Sequence, residues 1–284
     1  CVPHSTVPLP FSKHNISIIH MAPTVLNSLI QYYDEYTPPL SEKLRIIVAG
    51  SAPPMAFIER VEKEIGWEFI QVYGMTESSP LSTISRILPQ YKDLPDQEKY
   101  QLKAKGGTQL IGTKVKVVDE YGDELPHDGV SVGEIVIRGH GVMKGYWKNE
   151  QATINTLKDG WLHTGDVGHI DEKGYVAITD RKKDIIISGG ENISSIEVEG
   201  ILYDHPDILE AAVIAIPHEK WGETPHAYVV LKENATVTEQ DIIDFSRSKL
   251  AHFKAVTGVT FVDPVLWETG PGRQTPDDPP APHS

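Results

Sequence analysis

Thiols are almost absent: the 284-residue chain has one cysteine, Cys1, which excludes an internal disulfide framework and thiolate metal clusters. At the extreme terminus it is also poorly placed for a catalytic thiol. No apolar run approaches the roughly 18 residues a membrane span needs, and the first residues lack the basic-then-apolar pattern of a secretory signal. The expectation is a cytoplasmic chain without a membrane span. Basic side chains are the minority, 26 against 40 acidic ones for a net charge of −14, which argues against nucleic acid or anionic lipid as a general partner. Any anionic ligand must be held by local devices. There is no GxSxG, so a serine elbow has no support. The 12 histidines show no zinc spacing, including His163 and His169, expected to face each other across a hairpin, and His218 near Trp221. No internal repeat is visible.

What is present suits an ordinary folded protein of about two domains, with 39% hydrophobic and 23% charged residues. ISIIH (Ile16 to His20) and LRIIVAG (Leu44 to Gly50) are short β-branched runs separated by helical spacing. Met55, Ile58, Val61 and Ile65 form one apolar helix face. This predicts an α/β core, a parallel sheet flanked by helices, over residues 1–102. From Lys103 the texture alternates, as in TKVKVVD and GEIVIRG, with turns at Gly122-Asp123 and Lys173-Gly174. That predicts a β-rich subdomain over 103–179. Residues 180–269 read as a small α+β domain whose first helix opens with Ser194-x-x-Glu197, a capping box, and closes with an amphipathic helix from Glu239 to Leu250. The proline-rich residues 270–284 read as a disordered tail.

Chemistry concentrates between Trp161 and Val198. Asp166 follows a Thr-Gly pair that can present a carboxylate to a ligand hydroxyl, and Arg181 offers a planar fork to ribose or phosphate oxygens. VYGMTESSP (Val72 to Pro80) is expected to follow a strand and open a helix, setting its N–H groups where phosphate is favoured. Each of these residues, taken alone, equally suits a helix cap or a surface ion pair. Together they suit a nucleotide.

These segments, with AGSAPP (Ala49 to Pro54), GEIVIRGHGVMKGYW (Gly133 to Trp147), GWLHTGD (Gly160 to Asp166) and DRKKDIIISGGENIS (Asp180 to Ser194), resemble in order and spacing the adenylate-forming superfamily. The likeness is to AMP-forming acyl-CoA synthetases of the fatty-acid and 4-coumarate type, and it runs from Ile16 to Val262. It implies a partial acyl-CoA synthetase-like fold and an activity in which a carboxylic acid, fatty or aryl, is activated by ATP to an acyl-adenylate and its acyl group is transferred to CoA. It also implies roles for individual residues. Gly50, Ser51, Ala52 and Pro53 would wall the adenine and acyl pocket, and Tyr73, with Gly74 and Met75, would lie on the adenine. Thr76 would contact the α-phosphate and Glu77 would hold Mg2+. Asp166 would bind ribose, and Arg181 ribose and phosphate. Lys183 would be the pivot of a domain hinge, and Gly189 and Gly190 would line the pantetheine channel. GHGVMKG itself reads as a glycine-rich loop, since its spacing misses the dinucleotide fingerprint.

Two pieces of the family pattern have no counterpart. The glycine- and threonine-rich phosphate loop should lie upstream of Ile16, and a lysine segment should follow Val262, whereas the last lysine is Lys254. The expectation is therefore the downstream half of a ligase, a fragment of doubtful activity with exposed sheet edges. Two other readings stand beside it: an adenylation domain that loads a carrier protein, and a non-catalytic remnant that binds AMP or CoA weakly. The identity of the acid and any homo-oligomer are left open by the sequence.

Overall fold

The computed structural model describes residues 16–36, 44–49, 55–232 and 235–263. Internal contacts divide the chain into two units, Cys1–Ile178 and Thr179–Ser284, each described by itself. The proline-rich tail and Gly50, Ser51, Ala52 and Pro53 lie outside the described residues.

The first unit contains two sheets. One runs in the order β1 (Ile18–Met21), β2 (Arg45–Ala49), β3 (Glu68–Tyr73), β4 (Thr83–Ile84), β5 (Thr108–Gln109). The first three strands are parallel, but β4 and β5 are antiparallel, which corrects the expectation of a parallel sheet throughout. The chain doubles back after Tyr73, whose carbonyl accepts the Ser82 N–H at 2.8 Å, and an antiparallel partner needs no crossover helix. Helix α1 (Pro23–Tyr36) connects β1 to β2, and α2 (Met55–Arg60) follows β2. The apolar spacing there does make one face, with Ile58 and Val61 fully buried. Past Arg60 the backbone widens into a π turn, Val61–Ile65, ended by Gly66 at φ 84°. Leu26, Ile46, Ile58, Trp67 and Phe69 form the centre of this core, each such side chain contributing roughly 1.5–3 kcal/mol.

The long segment between Arg86 and Gly107 is not a plain loop. It carries a 3-10 turn, Pro89–Tyr91, and helix α3 (Asp96–Lys103). Ser85 Oγ donates to the Leu102 and Lys103 carbonyls, and the Tyr175 hydroxyl donates to the Arg86 carbonyl at 2.6 Å, so both ends are tied to the sheets.

The second sheet contains β6 (Thr113–Val118), β7 (Gly133–Gly139), β8 (Leu157–Lys158), β9 (Trp161–Ile170) and β10 (Val176–Arg181) in the order β10-β9-β7-β6, with β8 on β9. Helix α4 (Glu150–Thr156) precedes β8 and is capped by Asn149, whose side chain accepts the Ala152 N–H. Val115, Val117, Ile135, Ile137 and Leu162 alternate onto the buried face. His163 and His169 share the single strand β9 and do not flank a hairpin. The Thr-Gly pair between them makes a bulge and not a turn; the reversal comes at Asp171, whose carbonyl accepts the Gly174 N–H.

In the second unit, β11 (Ile186–Ser188) and β12 (Glu191–Ile193) form a short hairpin before helix α5 (Ser195–Tyr203). A long hairpin of β13 (Ile208–His218) and β14 (Gly222–Leu231) follows, then α6 (Glu239–Lys249) and β15 (Gly258–Phe261), which joins β14 in parallel. Val198 and Leu202 of α5 and Ile242 and Ile243 of α6 pack on Ala211, Val213, Ala227 and Val229. The Ser194 side chain caps α5 through the Glu197 N–H at 3.1 Å. The reciprocal half of the expected capping box is missing because Glu197 takes Lys254 Nζ instead, at 2.7 and 2.9 Å. The complete box belongs to α6, where Thr238 and Asp241 satisfy each other's N–H.

Glu199 sits on α5 with its carboxylate accepting the Val213 N–H at 2.9 Å. Burial, aided by the negative charges of Asp180 and Asp184, pushes it from 4.5 up to about 7. Its folded-state value exceeds the unfolded one, so folding favours the protonated acid. That stabilisation is complete at low pH and is lost as pH rises through 4.5 to 7. Glu199→Gln keeps an acceptor for Val213 and removes the ionisation. Urea unfolding at pH 5 and pH 8 should show the variant more stable than the parent at the higher pH by on the order of 2–3 kcal/mol. An identical pH dependence in both proteins would refute this account.

Candidate functional site

The first half of the site forms where β3 runs out. Tyr73 packs its ring among Val115, Ile135 and Leu162, while its hydroxyl donates to Asp166 Oδ2 at 2.7 Å. The adjoining position tolerates only glycine, because a Cβ on Gly74 would strike the Pro80 carbonyl oxygen. The chain then makes one 3-10 turn, Thr76–Ser78, and not the expected helix. Ser79 turns left-handed at φ 58°, and Pro80 has no N–H with which to extend a helix. Ser78 Oγ accepts the Met75 N–H at 3.1 Å and holds the turn shut. Thr76 is left on the exposed outer side. With no helix behind it, the turn has little macrodipole, and its Ser78 and Ser79 N–H groups already donate to the Met75 and Thr76 carbonyls.

Glu77 is half-buried beside the glycine-rich loop that follows β7. Its backbone carbonyl accepts the Met143 N–H at 2.7 Å, and its carboxylate accepts the Tyr146 hydroxyl at 2.8 Å. Burial, then this contact with an anion, raises the Tyr146 phenol above its ordinary range. Thr153 Oγ1 in turn accepts the Tyr146 N–H. Tyr146 was not singled out from sequence, although it lies inside the GEIVIRGHGVMKGYW block; a lone tyrosine after glycine carries no signal of its own.

Asp166 lies at the end of the bulge in β9. β7 pairs Glu134 with Val167 and Val136 with His163, so three β9 residues oppose Ile135 alone. Thr164 Oγ1 donates to the Ile135 carbonyl at 2.7 Å and accepts the Asp166 N–H at 3.0 Å. Gly165 takes φ 75°. The result is a half-buried carboxylate placed beside Tyr73, one strand end from Thr76 and Glu77.

Arg181, Lys183, Gly189 and Gly190 belong to the second unit. Asp180, 2% exposed, organises that segment by accepting the Arg181 N–H at 2.6 Å and the Ser195 N–H at 2.5 Å. Burial raises its carboxyl, and those donors pull it back. Lys182 and Lys183 then sit in an exposed turn closed by the Asp184 N–H on the Arg181 carbonyl. Gly189 and Gly190, at φ 60° and 89°, form the two-residue turn between β11 and β12, a shape only residues without a Cβ enter easily. The Gly189 N–H donates to the Trp221 carbonyl at 2.8 Å, and a Cβ there would press on the Trp221 ring. Trp221 is thus the unforeseen neighbour of this turn.

A carboxylate beside a phenol, an exposed hydroxyl and a second carboxylate on one strand-end cluster suit a phosphorylated, hydroxyl-bearing ligand. The model of the AMP-binding enzyme family matches residues 6–147, and that of its C-terminal domain matches 197–273. This chain belongs to the AMP-binding enzyme family. It is 39% identical over 279 residues to a peroxisomal benzoate–CoA ligase of Arabidopsis thaliana, covering 93% of this chain and 48% of the relative. A peroxisomal butyrate–CoA ligase of the same plant is 40% identical over 270 residues, covering 92% and 47%. Among solved structures, the o-succinylbenzoate CoA synthetase of Bacillus subtilis with its acyl-adenylate intermediate superposes with a TM-score of 0.78 at 32% identity, over 92% of this chain and 50% of that one. The same enzyme is also known with ATP and magnesium ion. The chain thus spans about half the length of the relatives it matches, and its fold is that of the downstream part of an adenylate-forming enzyme.

Gly74→Ala tests the fold of the site. Overpacking against fixed backbone should cost about 1–3 kcal/mol, read as a lower urea midpoint for the first unit. A variant as stable as the parent would mean that the turn has room to move.

Proposed function

We propose that the protein to which this chain belongs is an AMP-forming carboxylic acid–CoA ligase. The observation that carries the reading is the Tyr73–Asp166 pair at 2.7 Å beside Thr76 and Glu77, in a chain whose relatives are CoA ligases by name. Attack of a carboxylate on the α-phosphorus of ATP brings two anions together, so charge must be neutralised and the groups aligned first. Asp166 would accept the ribose hydroxyls, with Tyr73 fixing its orientation. Thr76 would donate to the α-phosphate. Arg181 would bind ribose and phosphate oxygens.

Glu77 fits Mg2+: it is a half-exposed carboxylate already oriented by Tyr146, and this ion usually takes one or two carboxylates beside substrate phosphates. When bound, the ion supplies neutralisation of phosphate charge. Lys183 would be the pivot that exchanges adenylation for thioester formation, and the Gly189–Gly190 turn would flank the pantetheine arm of CoA. The CoA thiol would then attack the acyl-adenylate carbonyl, forming the acyl–sulfur bond as the bond to AMP breaks and AMP leaves.

CoA as the acceptor is supported by the relatives' names; a carrier protein as acceptor has no such support. Benzoate and butyrate as substrates of relatives point to an aryl or short aliphatic acid. The cytoplasmic reading rests on sequence alone, and both of those relatives are peroxisomal by name.

Calorimetry should show saturable AMP binding by the chain, weakened at least about tenfold in Asp166→Ala, as expected for loss of a charged acceptor. A chimera that adds the upstream half of the benzoate–CoA ligase should release pyrophosphate when given ATP and benzoate or butyrate, and should form the CoA thioester. Absence of AMP binding, or binding indifferent to Asp166, would overturn the proposal.

A further inference from the structure

Glu134 has no part in the roles considered so far, yet its side chain contacts the residue that precedes the β9 bulge and the amide at the middle of it. Its Oε1 accepts the Gly165 N–H at 3.2 Å, and its Oε2 lies 3.1 Å from His163 Nδ1. Both side chains are largely buried, at 15% and 20% exposure. Burying a carboxylate costs free energy unless donors surround it, and a strand pairing with apolar neighbours on either side would be served as well by valine. Bulges beside functional sites re-aim a side chain, and the side chain re-aimed here is Asp166, one residue past the amide that Glu134 holds.

We propose that Glu134, braced by His163, is a positioning residue that sets the Asp166 carboxylate and so selects ligands bearing the ribose diol. The inference rests on the nucleotide reading above. Glu134 touches no ligand; it fixes the Gly165 peptide, and with it the direction in which Asp166 leaves the strand. Thr164 restrains the same peptide from the other side through the Ile135 carbonyl. Without Glu134 the bulge keeps the Thr164 tie and loses the one that determines its rotation.

The test compares AMP with 2′,3′-dideoxyadenosine monophosphate by calorimetry, using the whole chain. The parent should prefer AMP by about tenfold or more, the usual scale for hydrogen bonds to a charged group. Glu134→Ala should bring that ratio close to one while leaving affinity for the dideoxy nucleotide within about twofold. Glu134→Gln keeps an oxygen for the Gly165 N–H and should restore most of the preference. His163→Ala retains that bond but removes the imidazole from the other carboxylate oxygen, and should fall between. If Glu134→Ala does not fold, the His163 variant carries the test, and an unchanged ratio there refutes positioning. Equal weakening of both nucleotides would make Glu134 a structural residue only. A ratio lowered by Asp166→Ala but untouched by Glu134→Ala would sink this inference and spare the nucleotide reading. A parent that does not discriminate the two nucleotides would sink both.

Discussion

The hydrogen bond from Tyr73 to Asp166 joins the end of β3 to the bulge in β9, and with them the two sheets of the first unit. A neutral donor on a carboxylate is worth on the order of 1.5–3 kcal/mol, comparable to burying one aliphatic side chain. Its larger effect is geometric. Tyr73 is fixed by the core and Asp166 by its bulge, so the Thr76 turn, which begins three residues after Tyr73, inherits a defined place relative to the carboxylate. Change either anchor and the other loses its reference.

That arrangement explains why the site lies on irregular backbone while its supports are regular. The strands supply rigidity through Val115, Ile135 and Leu162. The functional groups occupy the places where pairing fails: a single 3-10 turn, a bulge and a glycine-rich loop. Tyr146 and Glu134 perform matching tasks there, each giving a nearby polar group one fixed partner, Glu77 in one case and the Gly165 amide in the other. In the second unit, buried Asp180 does the same for the Arg181 segment by gathering amides from both ends of its loop.

Much of this was legible from residue patterns, and what was not has identifiable causes. Alternation in TKVKVV and GEIVIRG marked β6 and β7 because one face of each is buried. The run WLHTGDVGHI misled because a Thr-Gly pair signals a turn locally, whereas cross-strand bonds from Ile135 and Glu134 convert it into a bulge. The helix expected at TESS failed for a similar reason: Ser79 and Pro80 end it after one turn, a cost visible only once the following strand is seen to pair with β3. Glu197 abandoned its capping role for Lys254, a partner 57 residues away that no local rule could name. Motif order singled out Asp166, Thr76 and Glu77 as candidates, while Tyr146 and Glu134, which contact Glu77 and the Gly165 amide, became visible only through long-range contacts.

The net charge of −14 sharpens what such a site must do. A polyanion approaching this chain gains nothing from the long-range field, since the average potential opposes it. Attraction must come within a few ångströms, from donors on the Thr76 turn and from neutral hydroxyls. Carboxylates in the same cluster are tolerable only if they meet hydroxyls or a divalent cation in place of phosphate oxygens. Asp166 and Glu77 each accept a tyrosine hydroxyl, which orients each carboxylate. A cluster built this way disfavours a bare phosphate, a consequence of charge sign before any shape is considered, and the proposed ligand, with its diol and metal ion, is one that such carboxylates would tolerate.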